Sequence, residues 1–228
     1  MSDPFRIGML VFPGLTQLDL TGPYEVLARM QGAKVHLIWK TTDPVRSEHG
    51  MLLVPDRTLA ECPPLEMIFV PGGGGVNALM EDASVLEFLR SKAESARYVT
   101  SVCTGSLVLA AAGLLKNKQA TTHWLSLDLL ARLGADARKE RVVTDGKFIT
   151  GGGVTSGIDF ALQVAALVRG EQEARAIQLM IEYNPAPPFP GGHPSTAEPS
   201  TIDRVVRERA GAMEKRRAVV DRITGTSV

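Results

Sequence analysis

The sequence lacks an excess of charge of either sign, because 25 lysines and arginines are balanced by 25 aspartates and glutamates. Proteins that bind nucleic acid or anionic membrane surfaces usually carry a clear basic surplus. We therefore expect neither nucleic acid nor a membrane among the partners of this chain.

Long apolar segments and cysteine clusters are also missing. No window reaches the roughly 18 uncharged apolar residues of a membrane span, and no secretion signal opens the chain. The two cysteines, Cys62 and Cys103, lack CxxC spacing, so we expect neither a disulfide framework nor a cysteine zinc site. These absences predict a cytoplasmic protein.

What the sequence contains is an alternation of strand and helix patterns. A continuous apolar run at residues 5–12 predicts a strand that is buried on both faces of a parallel sheet, and residues 34–40, 65–70 and 98–102 predict further strands. Helical patterns lie between them, one beginning at Pro23 and another capped by Asp82. The alternation predicts an α/β fold with a mostly parallel central sheet and helices on both faces.

The last third of the chain predicts a hairpin, an arm and a final helix. Residues 142–149 hold two short strand patterns around Asp-Gly, which favours an antiparallel hairpin. Residues 184–200 are rich in proline, so they predict an extended arm, and an amphipathic helix pattern follows. We divide the chain into an α/β domain, residues 1–183, and an arm with its helix, residues 184–228, which packs on the same domain or on a partner subunit.

The strongest chemical signal is Cys103, which follows a strand pattern and precedes a glycine and a helix pattern. This is the strand-turn-helix context of a nucleophile elbow, which lifts a side chain above the carboxyl edge of a sheet. The start of the helix favours a thiolate there. The alternative is a small buried cysteine without reactivity. Cys62 lies in a probable loop without such a turn and serves as the unreactive comparison.

A reactive thiol needs a proton donor and acceptor, and Asp19 is our main candidate. Its neighbours Leu18 and Leu20 suggest an apolar setting that would raise the pKa of the carboxyl. The alternative is an aspartate that hydrogen-bonds locally in a turn near Thr21. We expect His123 to be structural.

Two glycine runs complete the candidate site. Amides of the first run, at Gly73 and Gly74, can approach a substrate closely because no side chain intervenes. The second run, residues 151–153, predicts a hinge at Gly152 before the next helix. We expect that helix to shift when Cys103 is modified.

Five further motifs are spread along the chain, namely LDLTGP (18–23), RYVTSVCTGSLVLAAAGLL (97–115), ATTHW (120–124), TGGGVTSGIDFAL (150–162) and YNPAPPF (183–189). Together they resemble the DJ-1/PfpI superfamily and, within it, the isocyanide hydratase branch. The resemblance implies a flavodoxin-like α/β sandwich in which Cys103 is the nucleophile, Asp19 its acidic partner and Thr104 a hydroxyl neighbour that tunes the site.

The same resemblance implies an activity. Members of that branch hydrate isocyanides to N-substituted formamides through a covalent thioimidate on the cysteine, as homodimers and without metal or organic cofactor. Two alternatives stay open: a cysteine stress sensor and an amide or peptide hydrolase. Many peptidase-like members carry His directly after the cysteine and Glu as its partner, whereas this sequence has Thr104 and Asp19, which weakens the peptidase interpretation.

Overall fold

A computed structural model describes residues 4–225. Residues 1–3 and 226–228, which begin the expected α/β domain and end the expected tail, lie outside the described residues. The strands are β1 (Phe5–Leu10), β2 (Ala33–Trp39), β3 (Val45–Arg46), β4 (Leu52–Leu53), β5 (Arg57–Thr58), β6 (Met67–Val70), β7 (Tyr98–Val102), β8 (Gln119–Ala120), β9 (Asp136–Ala137), β10 (Val142–Asp145) and β11 (Phe148–Gly151). The helices are α1 (Gln17–Leu27), α2 (Val76–Leu79), α3 (Ala83–Ser95), α4 (Gly105–Ala111), α5 (Leu127–Arg132), α6 (Ser156–Arg169), α7 (Glu171–Met180) and α8 (Pro199–Thr224), with a 3-10 turn, η1, at Trp124–Ser126.

The core is a seven-stranded sheet in the order β10-β11-β7-β6-β1-β2-β5. Its pairings are parallel apart from the antiparallel β10–β11 pair. The chain moves one way across the sheet from β1 to β2 and the other way from β6 to β7, so right-handed crossovers place α1 and α3 on opposite faces. The predicted α/β fold, with a mostly parallel sheet between helices, is confirmed.

The apolar runs of the sequence form the middle of this sheet. β6 is buried at all four positions, and β1 at every position except one, because each has a strand on both sides and helices above and below. The predicted hairpin is also present as β10 and β11, with Gly146 at a φ of +60° in its turn. The central position of β1 and β6 in the sheet therefore explains why their sequences lack the alternation of apolar and polar residues that a half-exposed strand shows.

The start of the first helix differs from our prediction. We expected Pro23 to begin it, but α1 begins at Gln17 and carries the proline inside. The helix passes close to α6 here: a Cβ atom on Gly157 would lie only 3.0 Å from the Pro23 ring. This packing outweighs the backbone hydrogen bond that proline removes. As a result Asp19 lies in the first turn of a helix.

The C-terminal helix lies on the chain's own domain. α8 contacts α2, α5 and η1, and Arg222 near its end donates hydrogen bonds of 2.7 and 2.8 Å to the carboxylate of Glu81. A second ion pair joins Asp221 to Arg132 of α5. The residues from 184 to 198 form neither helix nor strand, as expected of the arm, although α8 begins at Pro199, inside the predicted arm.

The cap of α3 gives a first test of this fold. The Asp82 carboxylate accepts hydrogen bonds from the amides of Ser84 and Val85, and it also pairs with Lys40. We expect Asp82→Ala to lower the free energy of unfolding by about 1 kcal/mol, measured by urea denaturation. Asp82→Ser keeps a capping oxygen but loses the ion pair. A loss in the serine variant as large as that in the alanine variant would assign the effect to Lys40 instead.

Candidate active site

Cys103 occupies a sharp turn at the carboxyl edge of the sheet, directly after β7. Its φ is +55°, which few residues other than glycine adopt. Its amide donates to two carbonyls at the end of the neighbouring strand β11, those of Gly151 at 3.0 Å and Gly152 at 2.7 Å. These bonds hold the strained turn in place, and such strain is typical of functional positions.

Gly105, two residues after the cysteine, has a steric reason to be glycine. A Cβ atom there would lie 2.1 Å from the Val70 carbonyl oxygen, so a side chain would push α4 away from the end of β6. The strand-turn-helix element therefore sits tightly against the neighbouring strand, with Cys103 at its apex.

Asp19 reaches the same place from the first turn of α1. It is fully buried, and its Oδ2 accepts a hydrogen bond of 3.0 Å from the amide of Gly72, which follows β6. Oδ1 has no hydrogen-bond partner among the described residues. The carboxyl thus bonds across the site instead of locally near Thr21, and the turn interpretation of the sequence is wrong.

Burial sets the protonation of this carboxyl and of the thiol beside it. Burial raises the pKa of Asp19 to about 7, although interactions with the Cys103 thiol and the Gly72 amide lower it. Burial and the Asp19 carboxylate raise the pKa of Cys103 well above its usual value, whereas the Thr104 amide and the Arg216 charge lower it. The start of the helix acts in the expected direction, but burial outweighs it. The resting cysteine is a thiol next to a carboxyl that is half-ionised near neutral pH.

The first glycine run fixes Asp19 and Thr104 relative to each other. A Cβ atom on Gly72 would lie 2.6 Å from the Thr104 nitrogen and 2.7 Å from Asp19 Oδ2, so only glycine fits between them. The Gly73 amide donates to Thr104 Oγ1 at 3.0 Å and is therefore occupied. The Gly74 amide donates no hydrogen bond within residues 4–225, which leaves it available to a ligand.

A cavity of about 130 Å³ lies over Cys103. A second cavity, of about 580 Å³, adjoins it at His123 and Val154 without reaching the cysteine. Asp19 does not line either cavity. The residues around the smaller cavity are Thr16, Glu48, Gly73, Gly74, Cys103, Thr104, His123, Leu125, Val154, Arg209, Ala212, Met213 and Arg216.

His123 lies in the wall of both cavities, yet its protonation state limits its chemistry. Burial and the charges of Arg216 and Arg209 lower the pKa of His123 to about 4, so the imidazole is neutral at pH 7. Its Nδ1 accepts a hydrogen bond of 3.4 Å from the Leu125 amide, consistent with the structural part that we expected.

Arg216 is a site residue that the sequence analysis missed. It comes from α8, and its side chain donates to the Ser126 hydroxyl at 3.2 Å and the Gly73 carbonyl at 3.4 Å. The signal was present in the sequence: Arg216 lies three residues after Met213 and four before Val220, on the apolar face of the helix. A charge at such a position predicts a buried contact.

The remaining candidates lie as follows. Gly152 links β11 to α6, and a Cβ atom there would have its nearest neighbour at 3.5 Å, so the position has room for a side chain. Its part as a hinge stays a prediction. Cys62 is buried in a loop before β6, where burial raises the pKa of its thiol, and it touches none of the site.

Residues 4–225 contain neither a candidate metal site nor a candidate membrane span. No group of three or more His, Cys, Asp or Glu residues there could hold a metal ion. No helix in that part of the chain is long and apolar enough to span a lipid bilayer.

Comparison with known proteins places this geometry in a family. The model of the DJ-1/PfpI family matches residues 5–167. The chain is 53% identical to an isonitrile hydratase of Pseudomonas putida over 217 residues, and this alignment covers 95% of each of the two chains. The crystal structure of a ThiJ/PfpI family protein from Pseudomonas syringae superposes with a TM-score of 0.93 at 42% identity, over 95% of this chain and 90% of that one. The crystal structure of DJ-1beta from Drosophila melanogaster shares the fold, with a TM-score of 0.73 at 24% identity. The match covers 80% of this chain and 100% of that one.

The raised pKa of Asp19 predicts a pH-dependent stability. A carboxyl with a folded-state pKa of about 7 and an ordinary value of 3.8 favours folding when protonated. Its contribution is complete below about pH 4 and is lost as the pH rises to about 7, a change of about 4 kcal/mol. Asp19→Asn cannot ionise. We expect its free energy of unfolding, relative to wild type, to increase between about pH 4 and pH 7 and then level off.

Urea denaturation of both proteins at several pH values measures this difference. Asp43→Asn is the matched control, because Asp43 is an exposed carboxyl that forms no ion pair among the described residues. A difference between Asp19→Asn and wild type that stays constant with pH would contradict the assigned burial of the ionised carboxyl.

Proposed function

The chain belongs to the DJ-1/PfpI family, and we propose that it hydrates isocyanides (isonitriles) to N-substituted formamides. The observation that carries the proposal is the buried pair of Cys103 and Asp19 beneath a small cavity. The similar isonitrile hydratase of Pseudomonas putida supports the substrate class.

The first step forms a covalent thioimidate. Asp19 in its ionised form takes the thiol proton of Cys103, and the sulfur attacks the terminal carbon of R–N≡C. The same carbon receives the proton from Asp19, which gives R–N=CH–S–Cys103. The terminal carbon thus gains both the sulfur and the hydrogen of the thiol, and no atom is lost. A group whose pKa is close to 7 can both take and return this proton at neutral pH.

The second step consumes water. Asp19 in its ionised form activates a water molecule that adds to the thioimidate carbon and gives R–NH–CH(OH)–S–Cys103. Collapse of this adduct breaks the C–S bond, returns a proton to the sulfur and releases R–NH–CHO. The Gly74 amide can donate a hydrogen bond to the oxygen or the nitrogen of this adduct as charge develops on it. The Gly73 amide holds the Thr104 hydroxyl in place.

The same geometry argues against the two alternatives. A redox sensor needs an easily ionised thiol, whereas burial raises the pKa of Cys103. A cysteine hydrolase uses a histidine that accepts the thiol proton, whereas the pKa of His123 is lowered to about 4 and its Nδ1 is engaged with Leu125. Asp19, in contrast, is the carboxyl that interacts with the Cys103 thiol and shifts its pKa.

Turnover and mass spectrometry test the mechanism together. Brief mixing with a simple aromatic isocyanide should add one substrate mass to the peptide containing Cys103 and none to the peptide containing Cys62. Cys103→Ala should lose both the adduct and formamide formation. Asp19→Asn keeps the shape of the side chain but cannot transfer the proton, so turnover should fall by at least about 10²-fold.

Cys62→Ala is the matched control and should keep wild-type turnover, because Cys62 lies outside the site. Substantial hydration by Cys103→Ala, or full activity of Asp19→Asn, would refute the mechanism. Absence of formamide with every isocyanide tested, by a folded wild-type protein, would refute the substrate class.

We also propose that the chain is a homodimer, as the resemblance to the family implied. The tail does not supply the argument, because α8 covers its own domain. Large apolar side chains of α6 and α7 remain exposed instead, namely Leu167, Leu179 and Met180. Light scattering at micromolar concentration should give twice the chain mass of 24.5 kDa, and a mass of 24.5 kDa would contradict the proposal.

A further inference from the structure

One wall of the Cys103 cavity is built by the C-terminal helix. Four residues of α8 line it: Arg209, Ala212, Met213 and Arg216. Their spacing of three, four and seven residues places them on one face of the helix. The catalytic cavity is therefore complete only when this helix, which follows the proline-rich arm, is docked on the domain.

Arg216 is the unusual member of this wall because its charge is buried without a carboxylate. The residue is only 9% exposed, and its hydrogen-bond acceptors are the neutral groups of Asn77, Ser126, Met213 and Gly73. Among the described residues it forms no ion pair.

Two other arginines of the same helix lie beside carboxylates. Arg209 lies 3.8 Å from the Glu48 carboxylate, and Arg222 binds Glu81. Burial of a guanidinium without an ion-pair partner is unfavourable, so the position of Arg216 requires an explanation.

Two acidic groups act on the Arg216 charge, namely the Cys103 thiol and, without forming an ion pair, the Glu48 carboxylate, and Cys103 has the larger effect. Arg216 and Cys103 line the same small cavity, and the charge of Arg216 favours the ionised form of the thiol. Its five N–H groups face four acceptors, which leaves one donor on the guanidinium for a ligand or for charge in the cavity.

We propose that Arg216 is the electrostatic partner of the Cys103 sulfur. Its guanidinium compensates the negative charge that appears when Asp19 removes the thiol proton, and it makes the cavity favour anionic over neutral reagents. This inference deepens the proposed function, yet it concerns the reactivity of the cysteine and can be tested without any isocyanide.

The other titratable groups around the sulfur do not remove this effect. Asp19 of α1 and Glu48 of the β3–β4 turn are acidic and oppose the thiolate, while His123 is neutral at pH 7. Arg209 is bridged to Glu48 at the more exposed rim. Arg216 is thus the buried positive charge that is left to act on Cys103.

Alkylation of Cys103 by iodoacetate and iodoacetamide tests the proposal. In both reactions the thiolate sulfur forms a bond to carbon and iodide leaves, but only iodoacetate carries a negative charge. We expect Arg216→Met to lower the ratio of the iodoacetate rate to the iodoacetamide rate by about tenfold and to raise the midpoint of the pH–rate profile by about one pH unit. Arg216→Lys should restore part of both.

Arg222→Met is the matched control, because it removes an anchor of α8 without touching the cavity. Rates are followed on the Cys103 peptide, so labelling of Cys62 does not contribute. If Arg222→Met changes the ratio as much as Arg216→Met, the effect comes from undocking of the helix and the proposal is wrong.

An unchanged ratio and midpoint in folded Arg216→Met would also overturn the proposal. If Arg216→Met does not fold, Arg216→Lys is compared with Arg216→Gln. A lower ratio of the iodoacetate rate to the iodoacetamide rate in the glutamine variant alone would support a role for the charge. Equal ratios in the two variants would refute it. Failure of wild type to hydrate isocyanides, with the charge selectivity present, would count against the proposed function and leave the role of Arg216 standing.

Discussion

The site depends on one constraint: a carboxyl and a thiol, Asp19 and Cys103, are buried side by side where neither ionises easily. In water a carboxyl with the ordinary pKa of 3.8 would be ionised at neutral pH, so it would hold no proton to give back after the thiol had reacted. Burial brings the pKa of Asp19 to about 7, so the pair can hold and return one proton at neutral pH. The cost of this arrangement falls on stability, because an ionised Asp19 opposes folding.

The parallel sheet explains how such distant residues meet. Strands β1, β6, β7 and β11 are neighbours that all end at one edge, and the segment after each carries one part of the site. Asp19 follows β1, the first glycine run follows β6 and Cys103 follows β7. The Gly152 carbonyl, which holds the cysteine turn, follows β11. Close contacts at Gly72 and Gly105 then bring these segments together more tightly than side chains would allow.

The sequence was informative where the signal is local. The buried strands, the Asp82 cap and the turn at Cys103 each follow from a few adjacent residues, and each is present. The start of α1 was wrong because the position of Pro23 depends on its contact with Gly157, more than a hundred residues away. Arg216 was missed because its surroundings depend on where α8 docks. The sequence left open whether that surface is the chain's own domain or a partner subunit.

The central claim is that Asp19 holds a proton near neutral pH, and infrared or carbon-13 NMR titration of its carboxyl measures this directly. The signal assigned by comparison with Asp19→Asn should titrate with a midpoint of about 7 in the folded wild type. In Cys103→Ala the midpoint should rise further, because the thiol that lowers the pKa of Asp19 is gone. A midpoint close to the ordinary value of 3.8 in wild type would contradict the account.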